Sequence, residues 1–141
     1  MLRMSNPAEP RGERVALEEI QPRDLLQALD LTRGALLATA PLLLCLGPFS
    51  RARGLLGRPP LASDQGLLLR PCSGVHTFFM GYAIDVAFLD RAGRVVGLRP
   101  QLRPWRATPL LGEAHATLEL AAGRLAACAV ALGDQVVFER E

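Results

Sequence analysis

The stretch from Pro71 to Asp90, PCSGVHTFFMGYAIDVAFLD, brings a thiol, an imidazole, a thioether and two carboxylates together among aromatic residues. Within it, Cys72, His76 and Met80 recur every four residues, a spacing that places them on one face of a helix or of an unbroken strand. Sulfur and imidazole ligands of this kind suit Cu(I). Because no fourth ligand is visible near them, soft-metal binding is the weakest of three functional hypotheses.

Proton transfer between His76 and Asp85 is a second possibility. These side chains share a face of the sheet if a two-residue loop at Gly81 and Tyr82 joins their strands, because side chains alternate along a strand. Across such a hairpin they are diagonal neighbours, about 7 to 8 Å apart at Cα. No nucleophile stands beside them, and the chain has no G-x-S-x-G motif. The pair therefore predicts either acid–base chemistry or hydrogen bonds that fix sheet geometry.

Asp85 lies inside an apolar strand pattern, AIDVAFL, where a buried carboxylate needs a partner. Arginine is the natural partner, since its guanidinium forms paired hydrogen bonds with carboxylates. The available arginines flank the GLLG turn or lie near Trp105: Arg53, Arg58, Arg99, Arg103 and Arg106. One Arg on Asp85 predicts a structural ion pair. Several Arg around His76, with Trp105 as a wall, predict a pocket for a small anionic or sugar-like ligand.

Other residues that can be reactive point to structure instead of chemistry. Glu119 alternates with two leucines, which predicts a solvent-facing residue of a strand. Cys45, Cys72 and Cys128 are far apart in the chain and form no C-x-x-C pair, so neither a disulfide framework nor a zinc cage is indicated. We expect reduced, buried thiols.

The composition excludes further chemistries. All 16 basic side chains are Arg and the chain has no Lys, so no Schiff base and no phosphate-loop lysine can form. The formal net charge of +2 is too small to argue for nucleic-acid binding. We expect no cofactor. With 141 residues, half of them apolar, the chain fits one globular domain.

An uncharged run from Gly34 to Phe49, GALLATAPLLLCLGPF, needs a separate interpretation. It is shorter than the roughly 18 to 20 residues that a membrane helix requires, and Pro41 interrupts it. About thirty residues rich in Glu and Asp precede it, where a signal peptide would carry a short basic region. We interpret the run as part of the core, without a membrane span, and expect a cytoplasmic protein.

The hydrophobic pattern predicts the elements that position these residues. Residues 1–40 form an N-terminal extension, in which Met1 to Arg14 predicts a disordered arm and the apolar spacing after Pro22 predicts a short amphipathic helix. Residues 41–141 form a single β domain. Its predicted strands are Pro41 to Leu46, Gly66 to Pro71, Val75 to Met80, Ala83 to Leu89, Arg94 to Arg99, Ala116 to Leu120 and the C-terminal segment GDQVVFE.

Turn and cap residues complete the prediction. The segment DRAG, Asp90 to Gly93, has Asp at the first turn position and Gly where a positive φ is required, which predicts a hairpin with a G1 bulge. Ser50 predicts the cap of a short helix over RARGLL, and AAGRLAACAV predicts a second helical turn. Short strands without long intervening helices favour a mainly β fold, a small antiparallel β-barrel or sandwich with one or two short helices.

Several segments occur in the order and spacing of one known family: RARGLLGRPPL, GLLLRPCSGVHTFFMGYAIDVAFLDRAGRVVGL, LRPWR, LELAAG and LGDQVVF. Over residues 42–139 the chain resembles the domain-of-unknown-function family 192. The resemblance implies a compact, mostly antiparallel β domain and no assigned activity. It also implies that many relatives carry a secretion signal or a lipoprotein leader. Phe79 in HTFFM stands where relatives have a Trp.

Three functional hypotheses remain open. The first is a non-enzymatic binding or protein-interaction module for a small ligand or a protein partner. The second is an enzyme of unknown class with an acid–base site at His76 and Asp85. The third is soft-metal binding through Cys72, His76 and Met80. The resemblance and the incomplete catalytic set favour the first, with these candidate ligand-binding residues: His76, Asp85, Arg53, Arg58, Arg103 and Trp105.

Overall fold

A computed structural model describes residues 12–141, which form two β-sheets, two short α-helices and one 3₁₀ helix. The predicted disordered arm at Met1 to Arg14 lies almost entirely outside the described residues. In chain order the elements are β1 (Arg14–Val15), the 3₁₀ helix (Leu17–Glu19), β2 (Leu26–Asp30), β3 (Ala35–Ala38), β4 (Leu43–Cys45), α1 (Pro48–Arg53), β5 (Gly66–Leu69), β6 (Ile84–Leu89), β7 (Val95–Leu102), β8 (Ala116–Ala121), α2 (Arg124–Ala127) and β9 (Val136–Arg140).

The first sheet has the strand order β1-β9-β2-β3, with antiparallel pairing throughout. Residues 26–38, which the sequence pattern assigned to an N-terminal extension, lie in this sheet beside the C-terminal strand. The amphipathic helix predicted after Pro22 is therefore wrong. The main-chain groups of β2 form hydrogen bonds with β9 instead, where Leu26 pairs with Arg140 and Asp30 with Val136. A partner so distant in sequence leaves no trace in a local apolar pattern.

The second sheet has the order β4-β5-β8-β6-β7. Strands β4 and β5 run parallel, and the other neighbours are antiparallel. The fold is thus mainly β with two short helices, as predicted. It resembles a sandwich of two sheets rather than a closed barrel, because β4 and β7 end the second sheet as edges. The central strand, β8, is paired on both sides.

Two apolar clusters cover the two faces of this second sheet. One cluster contains side chains of both sheets, including Leu26 and Phe138 from the first and Leu118 and Leu120 from the second. The other cluster lies on the far side of the second sheet, beneath α1 and the loop that follows β5: Cys45, Leu55, Leu67, Leu69, Met80, Ile84, Val86 and Phe88. The second sheet is therefore buried on both faces, a property that decides the position of Glu119.

Most of the predicted strands are confirmed, and so is the DRAG hairpin. Asp90 accepts hydrogen bonds from the amides of Ala92 and Arg94, and Gly93 has a φ of +85°. A Cβ at Gly93 would lie 2.5 Å from the carbonyl oxygen of Val136, so both the positive φ and this close contact exclude a side chain at this position. The exception is the strand predicted at Val75 to Met80, which is wrong because this segment is a loop with one isolated bridge.

Candidate functional site

A cavity of about 100 Å³ opens between α1, the loop after β5 and the central strand β8. The helix, the loop and the strand contribute different chemistry to it, since α1 brings arginines, the loop brings a thiol and an imidazole, and β8 brings a carboxyl group. The lining consists of Arg51, Ala52, Arg53, Gly54, Leu55, Leu56, Leu69, Cys72, Gly74, Val75, His76, Met80 and Glu119.

Glu119 is the polar group deepest in this site. It pairs with Leu67 on β5 and Val86 on β6, so its side chain points into the apolar cluster on the outer face of the sheet. Only 5% of Glu119 is exposed, and no hydrogen bond to its carboxyl group occurs within residues 12–141. Burial raises the pKa of Glu119 from 4.5 to about 7. At neutral pH this carboxyl group is present in both protonation states.

The prediction of a solvent-facing Glu119 is wrong for an instructive reason. The side chains of β8 do alternate, and Leu118 and Leu120 pack between the two sheets as the pattern indicates. The opposite face is not open to water, however, because Leu55 and Leu56 after α1 and the loop carrying Met80 cover it. The position of β8 between two other apolar strands would have indicated that both of its faces are buried. The pattern within β8 alone does not reveal that position.

Arg51 places a guanidinium at the same cavity. Its Nη1 donates to the carbonyl oxygen of Pro71 at 3.1 Å, while its buried Nε finds no acceptor in the described part of the chain. Helix α1 holds it there: Pro48 occupies the first turn, and the helix ends at Gly54 with a φ of +48°. Ser50 lies inside the helix and bonds back to Gly47, so the helix exists as predicted but begins before Ser50.

The soft-metal candidates Cys72, His76 and Met80 all line the cavity. The thiol of Cys72 donates to the carbonyl oxygen of Gly74 at 3.2 Å, and Nδ1 of His76 accepts from the amide of Phe78 at 3.3 Å. Neither group therefore activates the other. Among residues 12–141, no three His, Cys, Asp or Glu side chains are grouped closely enough to hold a metal ion.

Asp85 belongs to a different environment. It is fully buried, and its neighbours Ile84 and Val86 face the outer cluster, so strand alternation turns it toward the opposite side of the sheet. Its oxygens accept hydrogen bonds from the amides of Gln101 (2.7 Å), Gly123 (3.1 Å) and Leu125 (2.7 Å).

Two predictions about Asp85 are therefore wrong. Its partners are main-chain amides, not an arginine, because the end of β7 and the beginning of α2 place three N–H groups around it. Its predicted pairing with His76 does not form, because His76 lies on an exposed loop at the outer face and not on a strand of the same hairpin.

The remaining candidate ligand-binding residues do not lie together in the structure. Arg53 lines the cavity with His76, whereas Arg58, Arg103 and Trp105 do not. Arg58 donates through Nε to the carbonyl oxygen of Gly54 at 3.1 Å. Arg103 and Trp105 are exposed on a separate surface beyond His76. Sequence reasoning thus identified part of the cavity lining and missed Arg51 and Glu119, the two groups with unused hydrogen-bonding capacity.

Comparison with known proteins agrees with this architecture. A protein of Thermococcus sibiricus designated UPF0127 is 34% identical over 97 residues, which cover 66% of this chain and 62% of that protein. The chain thus spans somewhat less than two thirds of that relative.

Solved structures share the fold. A protein of unknown function from Novosphingobium aromaticivorans aligns with a TM-score of 0.70 at 18% identity, covering 96% of this chain and 99% of the other. A Sinorhizobium meliloti protein suggested to be a transcription regulator aligns with a TM-score of 0.62 at 20% identity, covering 80% and 91%. At these identities the likeness concerns the fold alone. The model of the DUF192 family, described as an uncharacterized ACR, matches residues 28–138, and the chain therefore belongs to this family.

Proposed function

We propose that this protein is a non-enzymatic binding domain whose cavity holds an oxygen-bearing group of a small anionic or sugar-like ligand. The observation that carries the proposal is the meeting of two polar groups at one cavity, the carboxyl group of Glu119, which is only 5% exposed, and Nε of Arg51, which is buried without a hydrogen-bond partner among the described residues. A buried polar group without a partner costs free energy, of the order of 1–3 kcal/mol. A ligand that completes its hydrogen bonds recovers that free energy.

The donor and acceptor groups at the cavity define the chemistry of the ligand. A protonated Glu119 carboxyl donates one hydrogen bond and accepts others, so it suits a hydroxyl or a carboxylate oxygen. The free Nε–H of Arg51 adds a second donor with a positive charge, which favours a carboxylate. The walls are apolar, including Leu55, Leu69 and Val75, and suit a short hydrocarbon part.

The size of the cavity limits how much of a ligand enters. A volume of about 100 Å³ is smaller than the cavity of roughly 150 Å³ that accommodates benzene in an engineered protein. Only a few non-hydrogen atoms therefore fit, such as those of glycolate or of a sugar substituent. A larger ligand leaves its remaining atoms at the mouth, beside His76 and Arg53.

Protonation of Glu119 makes the proposal sensitive to pH. A carboxylate ligand binds to the protonated form, because two carboxylates in one low-dielectric cavity repel each other. The pKa of Glu119 is about 7. Carboxylate affinity is therefore nearly constant below pH 6 and falls about tenfold per pH unit well above pH 7.

Glycolate is a suitable probe, titrated calorimetrically at pH 5.5, 7 and 8.5. We expect the native chain to lose affinity as pH rises, Glu119→Gln to bind with the same affinity at all three values, and Glu119→Leu not to bind. Arg51→Gln should weaken glycolate about tenfold, the loss of one charged hydrogen bond. Glu113→Gln, an exposed substitution of the same type, is the matched control. Equal affinity in the native chain and Glu119→Leu would refute the proposal.

Acid–base catalysis is a second candidate, now centred on Glu119 in place of His76 and Asp85. A pKa near 7 suits a group that both gives and takes protons at neutral pH. Turnover of a hydroxy acid by the native chain that is lost in Glu119→Gln, with glycolate affinity retained, would favour it.

The proposal includes a cytoplasmic location, which three cysteines without a disulfide support.

A further inference from the structure

Two loop segments pair into a ribbon that belongs to neither sheet and packs through Val75, Met80 and Leu111 on the outer cluster. Residues 73–80 and 103–111 run antiparallel. The amide of Thr77 donates to the carbonyl oxygen of Arg106 (2.7 Å), and the amide of Thr108 donates to the carbonyl oxygen of Val75 (2.9 Å). We call these two segments the aromatic ribbon. Four of the exposed large apolar side chains of the described chain belong to it: Phe78, Phe79, Trp105 and Leu110.

The aromatic side chains of the ribbon are close together and largely in solvent. The ring centroids of Phe79 and Trp105 are 4.7 Å apart, and those of Phe78 and Trp105 are 6.2 Å apart. Phe79 is 78% exposed and Trp105 is 55% exposed. The planes of Phe79 and Trp105 are tilted by 59° and those of Phe78 and Trp105 by 38°, so the rings do not form a flat shelf; we call these three side chains the wedge.

The backbone holds this wedge in an unfavourable conformation. Phe79 has a φ of +65° and Trp105 a φ of +62°, values that bulky side chains rarely adopt. Each such residue costs of the order of 1–3 kcal/mol and persists only where its surroundings enforce it. Contacts between the rings offset part of this cost, but Phe79 leaves 78% of its surface in solvent.

Thr77 is the residue that enforces the conformation. It is fully buried beneath the wedge, and its hydroxyl bonds to the carbonyl oxygen of Arg103 and accepts from the amide of Arg106 at 2.9 Å. Its carbonyl oxygen accepts from the amides of Trp105 (3.0 Å) and Met80 (3.2 Å). One buried side chain thus fixes both loops, and the wedge is presented in a preformed state.

The charge around the wedge has one sign. Residues 71–80 and 99–111 contain no Asp or Glu but include Arg99, Arg103 and Arg106. All three arginines are exposed, and none forms an ion pair with the part of the chain that the structure describes. By contrast, Arg33 and Arg140 on the first sheet pair with acidic residues. The wedge therefore presents apolar rings within a field of uncompensated positive charge.

We propose that the aromatic ribbon docks the protein on an anionic lipid surface. Trp and Phe side chains favour the region between headgroups and acyl chains, and arginines beside them meet lipid phosphates. The charge favours a lipid surface, because three exposed arginines and no acidic residue accompany the rings in these segments. Gly74, Val75, His76 and Met80 of the ribbon line the cavity at Glu119, but the three aromatic rings do not, so the docking proposal rests on the rings and arginines and not on the cavity.

Trp105 is the only tryptophan in the chain, so its fluorescence reports on the wedge alone. Full-length protein is mixed with vesicles of phosphatidylcholine, or of phosphatidylcholine with phosphatidylglycerol, and binding is also measured by sedimentation. We expect Trp105 emission to move to shorter wavelength, and the protein to sediment, with the anionic vesicles only. Raising the salt concentration from 0.05 to 0.5 M should release it, because the charges are exposed.

Two sets of variants separate the apolar from the charged contribution. Arg103→Gln with Arg106→Gln should lower the partition coefficient roughly thirtyfold, since each arginine near an anionic surface contributes about a fivefold factor at low salt. The Phe79→Ala variant should still bind the anionic vesicles, but its Trp105 emission should show little or no wavelength shift. The charge-matched control is Arg23→Gln with Arg94→Gln, two exposed arginines outside the ribbon that form no ion pair among the described residues, and the apolar control is Leu25→Ala.

The outcomes discriminate clearly because all these side chains are exposed and their loss should leave the thermal transition unchanged. Equal binding to neutral and anionic vesicles, or equal loss in the control variants, would overturn the proposal. So would a shift of Trp105 emission with polyglutamate but not with vesicles, which would indicate an acidic protein partner.

Discussion

Replacement of Glu119 by Gln should stabilise the protein at neutral and alkaline pH and leave it unchanged in acid. Gln has the shape of a protonated Glu and cannot ionise. In the native chain, burial holds the pKa of Glu119 at about 7 against an ordinary value of 4.5. The unfolded chain therefore releases this proton at lower pH than the folded protein does.

The sign follows from proton linkage. Between pH 4.5 and 7 the folded state binds more protons than the unfolded state, so the native chain loses stability as pH rises through this range. The interval between the two pKa values, at about 1.4 kcal/mol per pH unit, corresponds to roughly 3 kcal/mol. For a domain of this size, that free energy shifts the melting temperature by roughly 10 °C.

The assay is chemical denaturation of the native chain and Glu119→Gln from pH 4 to pH 8.5, analysed as the difference between the two free energies of unfolding. Taking the difference removes the other titrating groups, which both proteins share. Glu113→Gln supplies the control, because its exposed carboxyl group should give a difference within about 0.5 kcal/mol.

A difference that grows from near zero at pH 4 to roughly 3 kcal/mol at pH 8 supports the placement of Glu119. A difference that is the same at every pH would refute the reasoning. It would mean that the Glu119 carboxyl group ionises normally and that the outer face of the sheet is open to water, as the strand pattern alone predicts.

Two further outcomes test other buried carboxyl groups. Asp85→Asn should destabilise the fold by roughly 2 kcal/mol in denaturant titrations, because its amide nitrogen cannot accept one of the amide hydrogen bonds that the carboxylate receives; an unchanged midpoint would contradict the three-amide arrangement. Burial, and then the adjacent Asp134 carboxyl, raise the pKa of Asp30 from 3.8 to about 6, so native stability should fall as pH rises between these values. Asp30→Asn should abolish this part of the pH dependence in thermal melts at pH 4 to 7, and retention of the full dependence would exclude Asp30 as its source.

Local sequence patterns predicted the strands of the second sheet with little error. Ile84–Leu89 and Ala116–Ala121 are short apolar runs with adjacent turn signals, and the DRAG segment carries both residues that a tight hairpin needs. Such signals depend only on neighbours in the chain, and for that reason they can be recognised without the fold.

The errors fall where the decisive partner is far away in sequence. Leu26–Asp30 has apolar residues at helical spacing, yet it forms a strand because β9, more than a hundred residues later, pairs with it. Val75 to Met80 has the composition of a strand, but its amides bond to residues 106–108 as a loop ribbon. In both cases tertiary pairing overrides local preference.

The sequence by itself determined the mainly β class, the alternation of β8 and the residues that could carry chemistry. Only the tertiary structure decided their surroundings. A strand pattern states that Glu119 and its leucine neighbours face opposite ways, but whether the second face meets water depends on what packs against it. Here Leu55 and Leu56 after α1 and the loop carrying Met80 cover that face, and a carboxyl group that the pattern assigned to solvent is enclosed at a cavity with Arg51.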